Sequence, residues 1–187
     1  MIQAFDTSST QFLAQIIPHH PFFDAFFRLL SAEGFYLIVW IFIATIVFAI
    51  EYLSHHDKRR FLGNIYRVTA MLLVVALITF SSIHFILKPL IARDRPAVAL
   101  STIAPYCPTD YSFPSGHAAV AWAGAYVLIR FDTKKRREVM YFLIAALVSY
   151  SRIYLSCHFL GDVIIGALYG ISIAALCYKA YERMRRI

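Results

Sequence analysis

Apolar residues in this chain gather into long runs separated by short polar stretches. From Val68 to Leu87 there is no Asp, Glu, Lys or Arg, and Phe35 to Leu53 is nearly as apolar. Twenty such residues wound as a helix rise ~30 Å, the thickness of a bilayer's hydrocarbon core. Three further runs, Phe113 to Ile129, Val139 to Cys157 and Val163 to Tyr178, are shorter or polar at one end. The pattern predicts an all-α fold, a polytopic membrane helix bundle of about five transmembrane helices. From Gln11 to Leu30 the apolar positions are interrupted by Pro18, His19, His20, Pro21, Asp24 and Arg28. That suits amphipathic helices at the membrane interface better than a sixth crossing, which stays open as an alternative. The expected organisation is one membrane-embedded domain, with residues 1–34 interfacial and 35–187 forming the transmembrane core.

Composition agrees with this picture. Of 187 residues 60% are hydrophobic and 16% charged, and the mean hydropathy is +0.63. Such a chain is neither disordered nor collagen-like, and it exceeds the apolar fraction of ~45–50% usual in soluble domains. The formal charge of +7 would raise the question of nucleic acid in a soluble protein. Here thirteen of the 18 Lys and Arg follow the first span, the third span and the fifth, on a single side of a five-span layout. The positive-inside rule assigns that side to the cytoplasm, places the N-terminus outside and removes nucleic acid from the expected partners. Met1 to Thr10 contains Asp6 and lacks the features of a cleaved secretory signal. Lys88, Arg93, Arg95 and Arg152 are left on the outer side, against the topological bias, where charges need a reason.

Three short clusters share that side: Lys88 with Arg95-Pro96, then Pro114-Ser115-Gly116-His117, then Ser151-Arg152 with His158 and Asp162. Two guanidiniums and an ammonium suit a phosphate, the forked Arg groups gripping its oxygens in pairs. Pro114 fits the first turn of a helix, where Ser115, Gly116 and His117 would aim backbone N–H groups at an anion. Ser115 adds a hydroxyl, and Gly116 permits close approach. His158 and Asp162 are four apart and would share a helical face, the carboxylate orienting the imidazole for attack on phosphorus. His117 would protonate the leaving oxygen. Each cluster alone also fits an ordinary helix end or a base snorkelling to the headgroups.

In order and internal spacing the clusters resemble the signature of the type 2 phosphatidic acid phosphatase superfamily, the membrane lipid phosphate phosphatases. That signature reads Lys, six residues, Arg-Pro; Pro-Ser-Gly-His; then Ser-Arg, five residues, His, three residues, Asp, and it runs here from Lys88 to Asp162. The resemblance implies that His158 is the nucleophile, forming a phosphohistidine, that Asp162 orients it and that His117 is the acid. Lys88, Arg95 and Arg152, helped by Ser115 and Gly116, would bind the phosphoryl oxygens with no metal or other cofactor. It implies as partners the lipid bilayer and a phosphorylated membrane lipid, met at the outer face of the inner (plasma) membrane. By analogy with the compact bacterial branch the first choice is undecaprenyl diphosphate, with phosphatidylglycerophosphate and lipid A 1-phosphate as alternatives. A non-catalytic protein that only binds anionic lipid is the alternative of another class.

Other residues carry blander expectations. His19, His20, His55 and His56 look ordinary, and His84, one turn before Lys88, is expected to pack between helices, with a place in the outer pocket as the alternative. Gly166 and Gly170, with the alanines of the third span, are expected to let helices approach within one chain. Trp122 is expected to pack. Cys107 and Cys157 are expected to be free, and oligomeric state is not legible.

Overall fold

The computed structural model describes every residue except 1, 33, 56–57, 97–106, 133 and 187. The external segment, His56 and part of the first basic loop therefore lie partly or wholly outside the described residues. The helices run in the order α1 (Ile2–Gln15), α2 (Pro21–Leu30), α3 (Phe35–His55), α4 (Lys58–Ser82), α5 (Lys88–Ile91), α6 (Gly116–Phe131), α7 (Glu138–Tyr154) and α8 (Leu160–Met184). No strand occurs among the described residues. A π-helical segment, Ile83–Leu87, joins α4 to α5 directly, a winding often found beside functional sites. The rod ends where Ala92 turns left-handed at φ 47°, with its N–H on the Lys88 carbonyl at 2.9 Å.

α6 is the hub, packed against α8, α7, α4 and α3. Ala118, Ala119, Ala121, Ala123 and Ala125 are buried along it, so its neighbours pack almost against its backbone. A Cβ on Gly166 would lie 2.5 Å from the Ser115 carbonyl oxygen, and one on Gly170 would overlap the carbonyl of Ala119. The Gly-x-x-x-Gly pair is thus an intramolecular seam, as expected. Trp122 packs near Phe142 and donates to Ser149 Oγ at 3.0 Å.

Phe35–Leu53, Phe61–Ile91 and Leu160–Met184 are long and apolar enough to cross a membrane. α6 and α7 have 16 and 17 residues and are shorter than the expected spans. α6 begins three residues after Phe113, and α7 ends at Tyr154 so that the chain can turn back through the site. Outward-facing Ile38, Phe42, Leu77, Phe85, Leu143 and Leu168 remain exposed, an apolar surface of the kind a bilayer covers. α1 and α2, of 14 and 10 residues, reach only ~21 and ~15 Å. They dock on α7 and α8. Phe27 is buried against Tyr150 and Tyr154, whereas Phe5, Phe12, Phe22 and Leu29 face outward.

Candidate active site

The cation pair comes from one stretch of chain. Lys88 starts α5 and is 8% exposed. Beyond the left-handed turn, Arg95 donates through Nη1 to the Cys157 carbonyl at 2.7 Å, through Nε to the Asp110 carbonyl at 2.8 Å and through Nη2 to Asp110 Oδ1 at 2.5 Å. The other carboxylate oxygen of Asp110 takes the Lys88 ammonium. Asp110 thus clamps two of the three cations that the sequence marks for phosphate. Burial pushes its carboxyl upward, but hydrogen bonds from Lys88 and Arg95 outweigh that and hold it below the ordinary carboxylate value.

His158 lies in the α7–α8 turn. The Arg152 carbonyl receives the N–H of Cys157 at 3.0 Å and of His158 at 3.3 Å, and Ser156 takes a left-handed φ of 53°. α8 begins only at Leu160, so His158 and Asp162 do not share a helical face as the four-residue spacing suggested. Phe159 caps the helix, and Asp162, in its first turn, folds back to accept the Phe159 N–H at 2.9 Å. That fold brings Asp162 Oδ2 to 3.7 Å from His158 Nδ1, an ion-pair distance beyond hydrogen bonding. His158 Nε2 lies 3.2 Å from Arg95 Nη1. Burial, then the charges of Arg152, Arg95 and Lys88, push the imidazole well below its ordinary pKa. A neutral ring keeps a lone pair on one nitrogen, the requirement for a nucleophile.

The third cluster opens α6. Pro114 is not in the first turn as expected: Ser115 is the cap, its Oγ accepting the Ala118 N–H at 3.5 Å, and Pro114 stands one residue before it after a cis peptide bond. The Ser115 N–H reaches the Asp162 carbonyl at 3.0 Å, tying the two helix starts together. His117 Nε2 donates to the Ser31 carbonyl at 2.9 Å, which places a proton on Nε2, and its ring meets Tyr36 edge-on. Ser31 Oγ also pairs with Ser151 Oγ at 2.8 Å.

Lys88, Arg95, Gly116, His117 and His158 line one cavity of about 870 Å³. Ser115, Arg152 and Asp162 do not line it and are fully buried. Leu37, Leu73, Ala76, Leu77 and Val120 line it as well. His84 also lines the cavity, stacked on Phe80 and 3.5 Å from Asp110, so the expectation of simple packing is corrected. Its position one turn before Lys88 was the available signal. Asp110 was missed: nothing in a proline-rich loop distinguishes an acid that clamps two distant bases. The two cysteines are corrected as well. Cys107 and Cys157 form a disulfide with Cα atoms 5.3 Å apart, because the loop before α6 folds back onto the residue preceding His158. Cys177 is free.

A model of the PAP2 superfamily matches residues 69–186. This chain belongs to the PAP2 superfamily. The PAP2 chain is 32% identical over 168 residues to a lipid A 4'-phosphatase of Porphyromonas gingivalis, covering 87% of itself and 67% of that protein. Over 69 residues it is 45% identical to an undecaprenyl-diphosphatase of Sulfolobus acidocaldarius, 37% of this chain and 33% of the other. Its fold matches the crystal structure of a transmembrane PAP2-type phosphatidylglycerolphosphate phosphatase from Bacillus subtilis with a TM-score of 0.69. That likeness covers 100% of this chain and 89% of the other at 24% identity. The PAP2 chain is accordingly a membrane lipid phosphatase, a hydrolase.

Proposed function

We propose that His158 Nε2 attacks the phosphorus of a lipid phosphate, forming an N–P bond as the bond from phosphorus to the leaving oxygen breaks. His117 gives that oxygen a proton. With Nε2–H engaged by the Ser31 carbonyl, Nδ1 delivers it from the doubly protonated imidazolium, the form that the negative charge of a bound phosphate favours. Water then attacks the phosphohistidine, His117 takes its proton, and inorganic phosphate leaves with His158 restored. Lys88 and Arg95 hold the phosphoryl oxygens and Gly116 admits them to the start of α6. Ser115 and Arg152 act from behind the cavity wall, Ser115 by holding that helix start and Arg152 by adding positive charge. Asp162 orients His158. The fixed cations supply the stabilisation of developing charge. The observation that carries this reading is a buried imidazole with Nε2 3.2 Å from the Arg95 guanidinium, on the same cavity as Lys88 and His117.

The lipid proposed is undecaprenyl diphosphate, cleaved to undecaprenyl phosphate. The cavity is lined both by Lys88, Arg95, His117 and His158 and by apolar side chains such as Leu73, Leu77 and Val120, which suits phosphates joined directly to a hydrocarbon tail. A second reading, a lipid A phosphate, is favoured by the long match to the P. gingivalis lipid A 4'-phosphatase; phosphatidylglycerophosphate is the third substrate to compare. The site is proposed to face the outside of the inner membrane. The Cys107–Cys157 bond beside His158 supports that side, since disulfides persist in oxidising compartments. The test is phosphate release by the detergent-purified protein from the three lipids side by side, with a chelator present. Release from undecaprenyl diphosphate well above the others, undiminished by chelator and abolished in H158A, is expected. Preference for another lipid overturns the substrate, and turnover by H158A overturns the mechanism.

A further inference from the structure

The chemistry proposed above uses Asp162, and Asp162 does not stand alone. Arg93 Nη1 donates to its Oδ1 at 2.6 Å, while Arg93 Nη2 donates to Asp6 Oδ2, in α1, at 2.7 Å. The guanidinium lies over the Phe159 ring, 4.0 Å from its centroid. Its backbone is held too, the Arg93 carbonyl accepting the Ser112 N–H at 2.8 Å. Asp6 uses its second oxygen for the Gly161 N–H at 2.9 Å, and Thr10 Oγ1 accepts the Leu160 N–H at 2.9 Å. The first N–H groups of α8, which no intrahelical carbonyl can reach, are therefore met by side chains of α1. A carboxylate as buried as Asp162 needs a compensating charge to stay ionised and one fixed orientation to be useful. Arg93 supplies both, and its planar fork joins two carboxylates as a lysine cannot. It does not line the cavity.

From this geometry we infer that Arg93 and Asp6 are positioning residues of the phosphatase: α1 and the Arg93 fork hold Asp162, and through it His158, in the attacking arrangement. The inference rests on the phosphohistidine reading. It makes α1 part of the catalytic apparatus and not only a surface anchor.

The test uses the full-length protein in detergent with whichever lipid it hydrolyses. R93M is expected to lower kcat by about 10- to 100-fold, the scale of a misplaced catalytic group. KM should stay within about twofold, since Arg93 touches no part of the cavity where substrate binds. R93K should recover part of the loss, and guanidinium ion added to R93A should restore turnover. D6N should reduce kcat less, and should cost less again in the R93M background because the two act through one fork. Thermal midpoints and elution profiles recorded beside the kinetics separate positioning from unfolding. The inference is overturned if R93M keeps wild-type kcat. A rise in KM with falling stability, unrelieved by lysine or guanidinium, overturns it too. H158A tells the two readings apart: turnover without His158 sinks the phosphohistidine itself, whereas a dead H158A beside a fully active R93M sinks only the positioning role.

Discussion

Asp110 pairs with Lys88 and Arg95, two of the cations proposed to hold the phosphate. A bound phosphoryl group therefore has to compete with this carboxylate or sit beside it, and D110N should remove the obstacle while keeping size and shape. At about 6 Å between the carboxylate and a phosphoryl charge, with an effective dielectric near 20, the repulsion is roughly 3 kcal/mol. The Asp110 side chain is 27% exposed, so screening and relaxation reduce this to about 1 kcal/mol, roughly fivefold in affinity. The assay is inhibition of lipid hydrolysis by orthovanadate or inorganic phosphate, compared between wild type and D110N at neutral pH, where Asp110 is ionised. The inhibition constant should fall about fivefold. An unchanged or larger constant would refute the reasoning, because it would mean that Asp110 chiefly holds Lys88 and Arg95 in place.

Three further outcomes are expected. His158, neutral when folded, would be cationic below about pH 6.5 in the unfolded chain, so its contribution to stability is full above that pH and lost as pH falls; the thermal midpoint should drop between pH 7 and 5, and an equally steep drop in H158Q would refute this. G170A forces a methyl into the Ala119 carbonyl and should destabilise by about 1–3 kcal/mol. G63A, with nothing within 4 Å of its added methyl, should be neutral or slightly stabilising, and thermal melts of the two variants decide. C107S, or reductant, opens a link between residues 50 apart, worth up to about 4 kcal/mol by loop entropy; it should lower both the melting temperature and kcat, and a reductant-insensitive enzyme would contradict this.

The long helices were legible because a bilayer imposes a simple demand, an uninterrupted apolar run, which Val68 to Leu87 meets without a charge. The phosphate-binding and catalytic candidates were legible because their spacings are short and fixed within each cluster. The supporting contacts were not, since they join positions far apart: Lys88 to Asp110 across 22 residues, Arg93 to Asp162 across 69, Asp6 to Gly161 across 155. No periodicity reports such pairs. The four-residue spacing of His158 and Asp162 was itself misleading, because it matched a helical face while the chain used it to carry a carboxylate back over a helix cap. Ser31 reaches His117 through a backbone carbonyl, a contact that side-chain chemistry could not announce.

The capping of α8 by α1 also bears on how the enzyme comes into being. Asp6 and Thr10 are synthesised early, and the backbone groups they satisfy, at Gly161 and Leu160, follow 155 and 150 residues later. At about 5–20 residues per second, α1 waits roughly eight to thirty seconds on the ribosome for its partner. Lys88, Arg95 and His117 are made within that interval, well before the proposed nucleophile, His158. On the positioning role inferred for Arg93 and Asp6, full activity therefore awaits the docking of α8 on α1.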